Sequence, residues 1–223
     1  TGASDYSLDR MAEADRYNAW LLDRARPYLG SRVLELGAGI GTFTEQLADG
    51  REVVAVEPDS ALLPHLRANA PSATVFEGDV ETAPPGPFDS AVCFNVLEHI
   101  ADHAGALAAI RERLRPGGHL LLLVPSHPFL YGPIDAAFEH ERRYAKESLR
   151  TLLETAGFRV VELRRVNPVG ALGWLVAGRV LRRSEIPGGP LRAFDRAVPV
   201  LRALDRAELP LGLSLWAVAE RPA

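Results

Sequence analysis

Short apolar runs alternate along this chain with stretches in which apolar residues recur at helical spacing. Val33-Leu34-Glu35-Leu36, Val53-Val54-Ala55-Val56, Thr74-Val75-Phe76, Ser90-Ala91-Val92-Cys93-Phe94 and Leu120-Leu121-Leu122-Leu123-Val124 read as strands. Between and after them, helices are expected at 42–48, 60–69, 103–113 and 146–156, the last stopped by Gly157. Asp15 to Tyr28 reads as a leading helix with Tyr17, Trp20, Leu21 and Ala25 on one face. Phe158 to Leu163 is expected as a sixth strand and Leu213 to Ala219 as a seventh. This alternation predicts an α/β fold, a doubly wound parallel sheet with helices on both faces.

Two segments exceed what such a sheet needs. Pro125 to Tyr144, after the fifth strand, is rich in His, Tyr, Asp and Glu, and residues 166–210 separate the sixth strand from the seventh. Ligands of open α/β sheets bind outside the carboxyl ends of the strands. Both insertions leave from or return near that edge, so both are expected to cap a substrate. The expected organisation is one domain over 1–223: an N-terminal helical segment 1–30, a core 31–165, cap insertions 125–144 and 166–210, and a final strand within 211–223.

The most distinctive local pattern is Glu35-Leu-Gly37-Ala38-Gly39-Ile-Gly41, a strand end followed by three alternate glycines and a helical pattern. Glycine there lets the chain turn and lets a ligand approach the backbone. The spacing alone also fits ordinary strand-to-helix turns and dinucleotide enzymes. Its context adds to it: Glu57 closes the second strand twenty positions after Gly37, where an acid can accept from both hydroxyls of a ribose. Glu77-Gly78-Asp79-Val80, Asn95-Val96-Leu97-Glu98-His99-Ile100 and Leu114-Arg115-Pro116-Gly117-Gly118 follow in order.

Taken together, these five motifs resemble the class I S-adenosylmethionine-dependent methyltransferases over residues 30–165, and within them the small-molecule branch that includes the ubiquinone-biosynthesis type. Arg16-Tyr17-Asn18-Ala19-Trp20 and His140-Glu141-Arg142-Arg143-Tyr144 resemble segments of methyltransferases found beside glycosyltransferases. The resemblance implies a Rossmann-like seven-stranded sheet with the last strand antiparallel. It also implies S-adenosylmethionine as cofactor and S-adenosylhomocysteine as product. It places the amino-acid end of the cofactor on Gly37, Ala38 and Gly39 with support from Glu35. Glu57, beside Pro58, would take the ribose, Asp79 and Val80 the adenine, and Asn95 and Val96 the methionine portion, with Tyr17 as a further contact.

Methyl transfer is an in-line displacement, so alignment of acceptor, methyl and sulfur carries much of the catalysis. A hydroxyl or carbon acceptor also needs a base. His140 is the leading candidate, weighed against a histidine that pins the cap loop, and His127 is a second candidate. His99 is expected to begin a helix and to pack or contact cofactor. Tyr131, Asp135 and Tyr144 are expected to line the acceptor pocket, weighed against packing anchors. Asp135, Glu139, His140 and Glu141 could be imagined around a metal, but neighbouring charges more often form a solvated face and no Cys/His zinc spacing exists. No metal is expected.

Totals narrow the partners. Apolar residues make up 47% of the chain and charged ones 24%, and the net charge of −4 gives no basic footprint for nucleic acid. Cys93 is the single cysteine, no signal-peptide pattern opens the chain, and no apolar run is long enough to span a bilayer, so a cytoplasmic location is expected. Residues 159–206 nonetheless hold ten arginines against four acids. There Leu172, Trp174, Leu175, Val176, Val180 and Leu181 surround Arg179, Arg182 and Arg183, while Phe194, Val198 and Leu201 follow a helical stripe that Pro199 is expected to kink or restart. A basic apolar cap, a peripheral membrane patch or a homodimer face are the readings, against a solvated amphipathic cap.

The favoured function is methylation of a small molecule, at oxygen in a secondary or cell-envelope metabolite, with nitrogen or carbon as the alternative acceptor. A nicotinamide oxidoreductase shares the loop and Glu57 but leaves Glu35, Asp79 and the Asn95–Ile100 segment unexplained. A non-catalytic relative would show a damaged glycine loop. A nucleic-acid methyltransferase would show an Asn-Pro-Pro-Tyr-type loop at Asn95.

Overall fold

In the computed structural model, residues 14–176, 188–205, 207 and 209–223 are described. Seven strands, β1 (Arg32–Leu36), β2 (Glu52–Glu57), β3 (Thr74–Glu77), β4 (Phe88–Phe94), β5 (Leu114–Pro125), β6 (Arg159–Val166) and β7 (Ser214–Glu220), form one sheet in the order β3-β2-β1-β4-β5-β7-β6. The first five are parallel, and β7 runs antiparallel between β5 and β6, with Leu121 opposite Val218 and Leu163 opposite Ala217. This is the Rossmann-like arrangement expected from the sequence.

The inner strands are largely apolar because both faces are covered, whereas the edge strands β3 and β6 are more polar and only partly buried. Leu34, Val54, Ala91, Cys93, Leu120 and Leu122 face a core shared with α4 (His103–Arg113) and α6 (Lys146–Thr155). Their neighbours Val33, Val53, Val92, Leu121 and Leu123 point the other way, toward α1 (Asp15–Ala25) and α8 (Gly188–Asp205). Helices α2 (Thr44–Leu47) and α3 (Leu63–Asn69) are shorter than the sequence predicts. Helix α1 ends early as well: Pro27 supplies no backbone N–H, and Arg26–Tyr28 tighten into a 3₁₀ turn.

Helix α8 is latched to α1. The Asp195 carboxylate accepts from the Arg16 and Tyr17 backbone N–H groups at 2.9 and 3.0 Å, capping α1 from a distant part of the chain. Tyr17 meets Phe194 edge-on at 5.4 Å, and Arg202 donates to Asp23 at 2.9 Å. Pro199 lies inside α8, which neither stops nor restarts there. Burial of Val198 and Leu201 on the sheet side offsets the backbone hydrogen bond that proline removes. The insertions form α5 (Pro133–Ala137), α7 (Pro168–Trp174) and α8; Arg179, Val180, Leu181, Arg182 and Arg183 lie outside the described residues. Among the described residues, no helix is long and apolar enough to cross a membrane.

Candidate active site

Strand order reverses between β1 and β4, and the loops leaving their carboxyl ends open the crevice where such sheets bind ligands. Gly37 follows β1 with φ +66°, and a Cβ there would lie 2.3 Å from Val96 Cγ2 on the loop after β4. Both the left-handed backbone and the close approach therefore demand glycine. Gly37 and Ala38 donate their N–H groups to the Val56 carbonyl at 2.8 and 3.1 Å, which pins the turn to β2.

Glu57 completes this clamp. One carboxylate oxygen accepts from Gly39 N–H at 2.7 Å and the other from Asp59 N–H at 2.9 Å. Burial pushes its carboxyl above the usual range, and these two donors oppose the shift. Each oxygen keeps a further lone pair for a ribose hydroxyl. Glu35 on β1 is also buried, and its Oε2 has no partner. Burial, reinforced by the Glu57 charge, pushes the Glu35 carboxyl up to about 7. A buried acid with one oxygen unpartnered, beside a loop of backbone donors, fits a ligand end that carries both an ammonium and a carboxylate.

Other cofactor candidates are placed around the same edge. Asp79 is exposed, and its Oδ1 accepts from Glu81 N–H, Thr82 N–H and the Thr82 hydroxyl at 2.8–3.0 Å. The Thr82 donors hold its carboxyl below the usual range. The side chain thus caps the following turn, with Val80 buried behind it. Asn95 sits at φ +54° and donates its N–H to the Leu123 carbonyl at 2.8 Å. Pro58 is exposed. Tyr17 is buried between Trp20 and Phe194 on the α1–α8 side.

A second constellation sits on the loops after β4 and β5. Leu97–His99 form a 3₁₀ turn, so His99 closes a turn rather than beginning a helix. Five hydrogen bonds strap the segment 139–144 across this turn. Glu141 N–H donates to the Glu98 carbonyl at 3.0 Å, Arg142 donates to Ile100 and Ala101 carbonyls at 2.5 and 3.2 Å, and the Tyr144 hydroxyl donates to the Leu97 carbonyl at 3.2 Å. The fifth joins His99 Nδ1 to the Glu139 carbonyl at 3.3 Å. The strap brings the His99 and His140 rings edge to face with centroids 4.9 Å apart.

Asp135 organises this region. It is wholly buried and accepts from Arg143 Nε at 2.7 Å, His140 Nδ1 at 2.9 Å, Gly132 N–H at 3.0 Å and Trp174 Nε1 at 3.3 Å. Burial pushes its carboxyl up, but the His140 hydrogen bond and the Arg143 charge outweigh this and hold it below the usual range. Trp174 belongs to the second insertion, and Arg143 lies over its ring at 4.7 Å, so the two insertions meet here. Glu98 is wholly buried, neither carboxylate oxygen has a partner, and burial pushes its carboxyl up to about 8.

Asp135 and Tyr144, expected along the acceptor pocket, are held inside the protein. Tyr144 packs in the main core and shares a 3.0 Å hydrogen bond with His103 Nδ1. Tyr131 is exposed and donates to the His140 carbonyl at 2.8 Å. The His127 ring packs against Phe129 at 5.1 Å, and its Nε2 accepts from Gly212 N–H at 3.4 Å. Sequence reasoning passed over Glu98, Arg143 and Trp174 as site residues. For Glu98 a signal existed, an acid between Leu97 and Ile100 at the mouth of an apolar strand.

Comparison with known proteins identifies the family and the fold. The family model described as "Methyltransferase domain" matches residues 9–163. The chain is 34% identical over 136 residues to a Mycolicibacterium smegmatis protein named probable S-adenosylmethionine-dependent methyltransferase, covering 59% of this chain and 53% of that protein. It is 29% identical over 113 residues to the ubiquinone biosynthesis O-methyltransferase of Aeromonas salmonicida, covering 46% of this chain and 47% of that enzyme. The chain thus spans about half the length of these curated relatives. The S-adenosylmethionine-dependent methyltransferase of Mesorhizobium loti shares the fold with a TM-score of 0.63 at 18% identity, over 89% of this chain and 96% of that one.

Proposed function

The chain belongs to the methyltransferase-domain family, and on that premise we propose that it transfers a methyl group from S-adenosylmethionine to an oxygen of a small-molecule acceptor. The observation that carries this reading is the glycine loop at the switch point, closed by Glu57 and backed by buried Glu35 with its unpartnered Oε2. When bound, the cofactor supplies an electrophilic methyl group on a sulfonium. Gly37, Ala38 and Gly39 would receive its amino-acid end, Glu35 its ammonium and Glu57 its ribose, with Asn95 and Val96 beside the methionine chain.

On the acceptor side, His140 would take a hydroxyl proton. Asp135 accepts from its Nδ1, which fixes that nitrogen as the protonated one and leaves Nε2 as the basic atom. The strap and the Trp174 contact hold this pair in place before any acceptor arrives, so little ordering is left to binding. An O-methyltransferase among the relatives supports oxygen as the acceptor atom.

Calorimetric titration with S-adenosylmethionine, S-adenosylhomocysteine and NADH tests the cofactor. Micromolar binding of the two sulfur nucleosides without NADH is the expected result. NADH binding alone, or no binding of either nucleoside, refutes it. A radiolabelled methyl screen against phenolic, alcoholic and amine acceptors then tests oxygen, and transfer to amines alone refutes that assignment.

A further inference from the structure

We propose that Glu98, His99 and His140 form a binding site for one divalent first-row transition-metal ion. A carboxylate oxygen of Glu98 and one ring nitrogen of each histidine all lie within 4.8 Å of one another. Glu98 and His99 are neighbours on the 3₁₀ turn after β4, while His140 arrives from the loop after α5, forty-one positions later in the chain than His99. Local spacing in sequence therefore gives no metal-ligand pattern, and only the strap across the turn assembles one.

The protonation pattern is set in advance. A backbone carbonyl only accepts, so His99 Nδ1, facing the Glu139 carbonyl, carries the proton of that ring. His140 Nδ1 donates to Asp135 in the same way. Both rings thus keep the Nε2 lone pair for a ligand. A histidine whose second nitrogen donates to a carboxylate or carbonyl is the usual arrangement behind a metal, because it fixes the ring and raises its basicity.

Glu98 supplies the independent observation. Its side chain is fully buried with both oxygens unpartnered. The nearby Arg143 guanidinium does not satisfy it, being directed to Asp135 and to the Ser126 carbonyl at 3.0 Å. A buried carboxylate without a partner is costly, and a cation between it and two imidazoles removes that cost. Ligand atoms of a tetrahedral zinc site stand about 3.4 Å apart at bond lengths near 2.1 Å. Closing the trio from its present spacing takes side-chain rotation, and the exposed His99, held at Nδ1 by one 3.3 Å contact, is the ligand that would move.

Two imidazoles and one carboxylate select zinc and its first-row neighbours over magnesium and calcium, which favour all-oxygen shells. Three protein ligands leave open coordination positions. The ion would occupy the Nε2 lone pair that takes the acceptor proton in the metal-free protein, so in the loaded protein the proton of a metal-bound hydroxyl, its pKa lowered, would pass to solvent. Metal binding itself does not depend on the methyltransferase reading.

Zinc titrations of the full chain, read by calorimetry and by competition with a chromogenic chelator, test the site without any methyl acceptor. One equivalent should bind at micromolar or tighter Kd. His99→Ala, at an exposed position with little risk to folding, should weaken binding at least a hundredfold, as should His140→Ala. Asp135→Asn should weaken it tenfold to a hundredfold through the orientation of His140. Absence of stoichiometric binding, or binding unchanged in a folded His99→Ala variant, overturns the proposal. S-adenosylhomocysteine affinity measured on the same samples separates the two readings: nucleoside binding without zinc refutes only this site, and zinc binding without nucleoside refutes only the cofactor assignment.

Discussion

Replacing Asp135 with asparagine keeps the side chain's size and removes its charge. Asp135 receives four donors while wholly buried, and the Arg143 side chain paired with it is only 1% exposed. In the variant, the amide NH₂ must face either the Arg143 and His140 donors or the Gly132 and Trp174 donors, and in both orientations the buried Arg143 loses its counter-charge. Breaking one side of a buried ion pair costs about 3–5 kcal/mol. For a chain of this length each kcal/mol lowers Tm by about 2–4 °C, so the expected fall is roughly 6–20 °C. Urea and thermal unfolding followed by circular dichroism measure it. The exposed Arg32–Glu52 pair is the control, because its loss should cost under about 1 kcal/mol. Asp135→Asn combined with Arg143→Met removes both charges and should recover much of the loss. A single-variant loss below about 1 kcal/mol, or a double variant no more stable than the single one, refutes the argument that an uncompensated buried charge sets the penalty.

Glu35 should make cofactor binding release protons. Its folded carboxyl is raised from 4.5 to about 7, so ligand-free protein carries a proton there at pH 6, and an incoming ammonium expels it. Titrations at pH 6 in buffers of different ionisation enthalpy should show this release, and Glu35→Gln should abolish it. For stability the sign is the reverse of a salt-bridged acid: folded protein holds the proton more tightly, so this residue's contribution falls as pH rises from about 4.5 to about 7. A wild-type minus Glu35→Gln difference in unfolding free energy that does not fall over that window contradicts it. Gly37→Ala puts a Cβ 2.3 Å from Val96 Cγ2 at φ +66° and should cut nucleoside affinity at least tenfold. Adding Val96→Ala relieves the clash but not the backbone strain, so recovery should be partial. Asp195→Ala removes the cap on α1 and should cost about 0.5–2 kcal/mol in urea unfolding.

The sheet was legible along the chain because most strands carry a short apolar run and each glycine turn is local. Residues i and i+1 of a strand face opposite layers, so the runs announced burial on both sides before any layer was known. The cofactor edge was legible for the same reason: Gly37, Gly39, Glu57 and Asn95 each sit within three residues of a strand end, and parallel strands bring those ends to one edge. What escaped were relations between segments far apart in sequence. Pro199 lies in an unbroken helix because burial outweighs its local cost. Asp195 caps a helix that begins 180 positions earlier in the chain. Asp135 looked like pocket lining until Arg143, His140 and Trp174 converged on it. Sequence by itself determined the strands, the turn chemistry and the edge where ligands bind, because those follow from local periodicity and backbone conformation. Only the tertiary structure decided which charges are buried together, since desolvation and pairing depend on distances between residues that the chain order leaves free.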